Sequence, residues 1–145
     1  MIMSVIRILF LSLIFTTIYL AGCSGTPANS SEIVYFVKEF EKDIGVSAKR
    51  VRIYFDDLDG NKAGSCIPGV GIVRLDRETY FNLSRIEKKA LIYHELGHCA
   101  CHILSHNPRQ KSTCSGSIMS PSMDSAWCYA KNWKFYVKGL KEQCK

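Results

Sequence analysis

The chain has 145 residues, seven of them cysteine, and a formal net charge of +6. This length accommodates one domain with a modest core and excludes two once an export segment is set aside. The basic balance comes without any nucleic-acid-binding motif, so nucleic acid is not an expected partner.

Residues 1–22 carry a single charge, Arg7, then an apolar run over 8–20, and end in Leu20-Ala21-Gly22 before Cys23. Small residues directly before the cysteine favour a cleaved signal peptide over a retained membrane anchor. The ending resembles a bacterial lipoprotein signal, which implies acylation of Cys23 and a membrane partner through that lipid. Ser24 is not the aspartate associated with inner-membrane retention in the lipoproteins it resembles. The expected address is therefore the cell envelope, at the outer membrane or periplasmic face rather than the inner membrane. Residues 23–31 read as the lipidated cysteine and a polar, flexible tether, and residues 32–145 as the folded domain.

Within that domain Ile33, Phe36, Val37, Phe40 and Ile44 recur at helical spacing and stop at Gly45, which predicts a first amphipathic helix. Val51, Ile53 and Phe55 alternate with polar residues as a half-buried strand, closed by the Asp59-Gly60-Asn61 turn. A second strand is expected around Ile72, Val73 and Leu75. Ser84 and Glu87 form a capping-box signature before a helix that runs through residues 94–98. A loop over 106–119 follows, then a last helix from about Met123, with Ala126, Trp127, Ala130, Trp133, Val137 and Leu140 on its expected buried side. Lys131, Lys134, Lys138 and Lys141 fall at three- and four-residue spacing along one face of it, read as solvated or as facing anionic envelope material. The fold class is thus α+β, with a short mixed sheet.

Residues 94–98 read His-Glu-Leu-Gly-His. On a helix, a spacing of four puts both imidazoles on one face, where His94 and His98 can ligate one zinc ion while Glu95 acts as general base toward its water. This arrangement points to Zn2+ as cofactor and to peptide-bond hydrolysis. Besides Cys23 there are six cysteines, an even number that reads as up to three disulfides with fifteen possible pairings. Cys99-Ala100-Cys101-His102 is one residue short of a haem-attachment pattern, and a disulfide role is favoured for its cysteines.

The pentad, with Ser117-Ile118-Met119-Ser120-Pro121 downstream, resembles the metzincin clan of zinc endopeptidases. It is also similar to short zinc-peptidase-like lipoproteins of bacteria and phages, in which the second histidine is followed by cysteine, as His98-Cys99 is here. The resemblance implies a small zincin-like domain: an active-site helix, a Met-turn-like loop with Met119 as a structural floor beneath the metal, and a C-terminal helix. It further implies a peptide bound along a sheet edge, for which residues 72–75 are the candidate. The chain departs from the metzincin pattern where glycine and a third histidine are usual, since Cys101 and Leu104 stand there.

The third ligand must therefore come from elsewhere. His102 lies about 12 Å along a straight helix from His94, too far to share an ion. A helix that ends near Cys101 and turns back brings His106 to the metal, and Asn107-Pro108 is a turn signal consistent with that. His106 is favoured, His102 is the less favoured imidazole, and Cys101 and Asp124 remain as further alternatives. Tyr129 and Tyr136 are expected to pack in the core. Three functions fit: a lipid-anchored zinc metalloendopeptidase acting on protein or peptide, a cell-wall peptide hydrolase, and a non-enzymatic envelope lipoprotein with a structural metal site.

Overall fold

A computed structural model describes residues 25–108 and 112–145. The signal segment and Cys23 lie outside the described residues. The elements are β1 (Thr26–Pro27), α1 (Ser31–Ile44), β2 (Arg52–Asp56), β3 (Gly64–Ile67), β4 (Ile72–Asp76), α2 (Arg77–Asn82), α3 (Arg85–Cys99) and α4 (Ala126–Gln143). They form a small α+β domain around one four-stranded mixed sheet, in the order β1-β2-β4-β3.

Local chemistry sets the helix ends. The Ser30 hydroxyl accepts the Ile33 N–H at 3.3 Å to open α1, and Gly45 at φ 85° closes it. Ser84 opens α3 by donating its N–H to the Glu87 carboxylate at 2.9 Å, as the capping-box signature predicts. The expected tether is shorter than the sequence suggests. Thr26 and Pro27 pair with Phe55 and Tyr54 of β2, and Ala28 is buried. A polar composition hid this strand, because two residues hydrogen-bonded to a neighbour need no apolar pattern of their own.

β2 and β4 run parallel, with Ile53 opposite Val73 and Phe55 opposite Leu75. These four side chains turn to one face and are buried there, as the alternation predicts. α3 packs against β3 and β4 and is held from its other sides by α1 and α4. Tyr93 shows how tightly: its ring meets Phe40 of α1 at 5.3 Å and Trp133 of α4 at 5.1 Å, and its hydroxyl donates to Asp43 at 2.9 Å. α3 is therefore a central, rigid helix.

Two sequence expectations need correction. Residues 72–75 are not at the sheet edge, because β4 sits between β2 and β3; the edge strands of the described sheet are β1 and β3, and β3, which pairs with β4 alone, is the one that lines the cleft. Its Gly-Ser-Cys-Ile sequence carries no alternating pattern to reveal it. On α4, Trp127 and Ala130 face outward, and Cys128, Tyr129, Tyr136 and Leu140 turn inward, with Trp133 and Val137 half-buried. Two constraints rotate the first turns away from the expected face. Asn132 leaves helical geometry at φ −118°, ψ 16°, and a disulfide pins Cys128 toward the 112–119 segment.

The cysteines pair as Cys66–Cys99, Cys101–Cys144 and Cys114–Cys128. Cys101–Cys144 ties the end of α4 to the chain just after α3, across 43 residues of sequence. Replacing both members by serine is expected to lower stability by about 2–4 kcal/mol, the usual range for such a cross-link. Urea unfolding with the other two bridges intact checks this.

Candidate metal centre

His94 and His98 project from the last turns of α3, and the chain must reverse to bring any third ligand beside them. The reversal is made at His102, which adopts left-handed backbone at φ 56°, the only non-glycine residue among those described to do so. Ile103 N–H then closes on the Gly97 carbonyl at 3.1 Å. A side chain at such a position costs on the order of 1–3 kcal/mol, so the surrounding bonds must hold it. The strand of chain that follows carries His106 back over the helix.

The three imidazoles converge. The Nε2 atoms of His94 and His98 are 3.2 Å apart, those of His98 and His106 3.1 Å, and those of His106 and His94 3.2 Å. Backbone carbonyls fix which nitrogen carries the proton. His94 Nδ1 donates to Ile118 O at 2.7 Å, and His98 Nδ1 donates to Ile103 O. A carbonyl only accepts, so Nδ1 carries a proton in both rings, and the two Nε2 atoms, the positions left for a ligand bond, face each other. Neutral imidazoles so arranged repel unless a cation lies between them.

The spacing fits such an ion. Tetrahedral nitrogen ligands at about 2.0–2.1 Å from zinc stand roughly 3.3 Å from one another. His94, His98 and His106 form a cluster that can hold a metal ion. Burial lowers the His94 pKa to about 4 and lowers that of His106 too, with His98 beside it adding to the effect. Both are thereby kept in the neutral, metal-competent form.

The other candidates are placed elsewhere. His102 is exposed and stands outside the cluster, serving as the turn residue instead. Cys101 is not a free thiolate, being bonded to Cys144. Asp124 is buried away from the histidines' nitrogens and accepts from Ser115 N at 2.7 Å, from Ser115 Oγ at 2.6 Å and from the Tyr136 hydroxyl. Those bonds hold the 115–119 segment that supplies the Ile118 carbonyl. The same segment anchors His106, since Asn107 N–H donates to Met119 O at 2.8 Å and its side-chain amide donates to Ser117 Oγ at 2.9 Å. Met119 is fully buried, and its Sδ lies 2.6 Å from where a Cβ on Gly97 would stand. Gly97 is thus glycine because Met119 packs against the helix backbone beside His98.

Glu95 is 3 % exposed, and its Oε2 has no hydrogen-bond partner among the described residues. Burial raises its pKa to about 8. Its neighbour across the cleft is Gly64 at the start of β3, where a Cβ would come within 2.7 Å of Oε1. A cleft of about 710 Å³ opens here, bounded by Gly64 and Ser65 on one side, His94, Glu95 and His98 on the floor, and Met123 and Tyr129 opposite. Sequence reasoning missed Gly64 and the carbonyls of Ile103 and Ile118. The backbone groups have no side-chain signal, and Gly64 sits in a strand without alternation.

No protein-family model, curated protein or solved structure matches this chain. The chemistry available to the site follows from its donor set: three imidazoles around one point and a buried carboxylate beside them, at the wall of an open cleft.

His106→Ala is expected to weaken zinc binding by 100-fold or more, as about 2.7 kcal/mol or more of ligand contribution is lost. His102→Asn, which keeps a residue tolerant of left-handed backbone, is expected to leave zinc affinity within about threefold. Equilibrium dialysis of both variants against zinc distinguishes the two histidines.

Proposed function

We propose that the chain is a zinc-dependent metalloendopeptidase of the metzincin-like type, exported and anchored at the cell envelope by a lipid on Cys23. The observation that carries this reading is the Glu95 carboxylate, buried beside the three imidazoles with one oxygen left without a hydrogen-bond partner. A buried polar atom of this kind costs stability and is uncommon in a finished core. Its place on the cleft wall supports a role toward a reactant.

His94, His98 and His106 would hold the zinc, which would supply Lewis acidity toward a water and a peptide carbonyl. The chain's own groups do the rest. Glu95 takes a proton from the attacking water and returns it to the leaving amine nitrogen. A dication held by the neighbouring imidazoles would favour the carboxylate form against the effect of burial. The carbonyls of Ile103 and Ile118 keep His98 and His94 in the tautomer that leaves Nε2 free. β3, with one side unpaired by any described strand, suits an extended peptide added alongside it. Gly64 lacks the side chain that would push Glu95 aside, and Met119 serves as the floor that keeps α3 in place under the histidines.

Glu95→Gln preserves shape and removes the base. It is expected to retain stoichiometric zinc and to lose about 10²–10⁴-fold in kcat on an unfolded protein substrate. Zinc binding with undiminished cleavage in this variant would overturn the assignment. Gly64→Ala gives a second handle, because the added methyl meets Oε1 of Glu95 at 2.7 Å and its Cδ and Cγ at 3.0 Å. Thermal stability is expected to change little and zinc content not at all, while kcat falls at least tenfold as the carboxylate is displaced.

A further inference from the structure

α4 presents a long face that the core does not use. Trp127, Lys131, Lys134, Phe135, Lys138 and Lys141 are all exposed, the two aromatic residues by 57 % and 61 %. Trp127 and Lys131 stand before the departure from helical geometry at Asn132, Lys134, Phe135, Lys138 and Lys141 after it, and all six are on the exposed side of α4. Cys128, Tyr129, Tyr136 and Leu140 lie on the other side and are buried. The exposed side of α4 is therefore basic and aromatic together.

Its charge is little compensated. Glu142 is the only acidic residue of α4, and none of the four lysines takes part in an ion pair among the described residues. Lys141 donates to the Asp43 carbonyl at 3.1 Å, and the Lys131 ammonium lies 4.8 Å from the centre of the Trp127 ring. This side adds to a chain that already carries +6.

The combination selects among partners. Water suits the lysines and leaves two large rings exposed at a cost. A lipid-free polyanion pairs the ammonium groups and leaves the rings wet as before. An anionic bilayer surface satisfies both, since indole and phenyl groups sit at headgroup depth while lysine stems reach toward phosphates. We infer that the Trp127–Lys141 face of α4 docks on an anionic phospholipid surface. Tyr129, the α4 residue that lines the cleft, lies on the opposite side, so docking leaves that wall of the cleft clear. The inference stands on the shape and charge of α4 and is independent of the peptidase reading.

Residues 8–20 form an apolar run of their own, so binding of the full chain to vesicles does not report on α4. Local emission does. The chain has two tryptophans, Trp127 and the half-buried Trp133. With vesicles of brominated phosphatidylglycerol, the full chain is expected to show blue-shifted, quenched emission. Trp127→Phe, in which Trp133 alone emits, is expected to lose that quenching. Phosphatidylcholine vesicles brominated at the same position should give none, and neither should the full chain with Lys131→Glu and Lys138→Glu, two exposed changes that leave the fold intact; each reversal weakens the contact by about fivefold or more. The proposal is overturned if phosphatidylglycerol leaves Trp127 emission unchanged, if phosphatidylcholine quenches it equally, or if lipid-free polyphosphate produces the same blue shift.

Discussion

The site depends on one demanding arrangement: three imidazole Nε2 atoms aimed at one point, 3.1–3.2 Å from each other. Nothing in the intrinsic preference of a peptide chain favours it. Much of the rest of the structure is what makes it possible. Tertiary packing on Phe40 and Trp133 holds α3, the left-handed turn at His102 returns the chain, and carbonyls at 103 and 118 lock two of the rings. A cation held by this cluster would bind all three nitrogens at once, which would couple metal binding to the order of this loop.

The disulfides are distributed according to the same need. Cys66–Cys99 joins the edge strand β3 to the residue after His98, Cys101–Cys144 holds the turn between His98 and His106, and Cys114–Cys128 closes the segment that ends in Ile118 and Met119. Each bridge therefore borders a part of the chain that either carries a ligand or orients one. A domain of this size has limited core to spend on stiffening loops. Cross-linking the loops directly achieves the stiffness that packing alone would not.

Much of this was legible in the sequence and some of it was not, for identifiable reasons. The helix under His94 and His98 was legible because capping chemistry and apolar spacing are local. The return of His106 could be inferred from distance, since a straight helix leaves His102 too far along the axis. The residue that makes the turn could not, because left-handed backbone usually announces itself by glycine or asparagine and here falls on His102. β1 and β3 were hidden since short strands hydrogen-bonded to a well-patterned neighbour need no pattern themselves. The rotated face of α4 was hidden because a disulfide and a departure from helical geometry at Asn132 override a 3.6-residue period.

The two buried carboxylates of the domain sharpen the distinction between structure and chemistry. Asp124 and Glu95 are almost equally buried, at 4 % and 3 % exposure. Asp124 collects donors from the Ser115 backbone, the Ser115 hydroxyl and Tyr136, and so holds the 115–119 segment as a fixed part of the fold. The Oε2 of Glu95 collects none, although the same chain has the means to satisfy a buried carboxylate a short distance away. Nor is Glu95 crowded into this state by accident of packing, because Gly64 opposite it leaves room for the side chain to stay where it is. A carboxylate with one oxygen unpartnered beside three converging imidazoles, in a domain that gives Asp124 three donors, supports the proposed role of Glu95 toward a reactant.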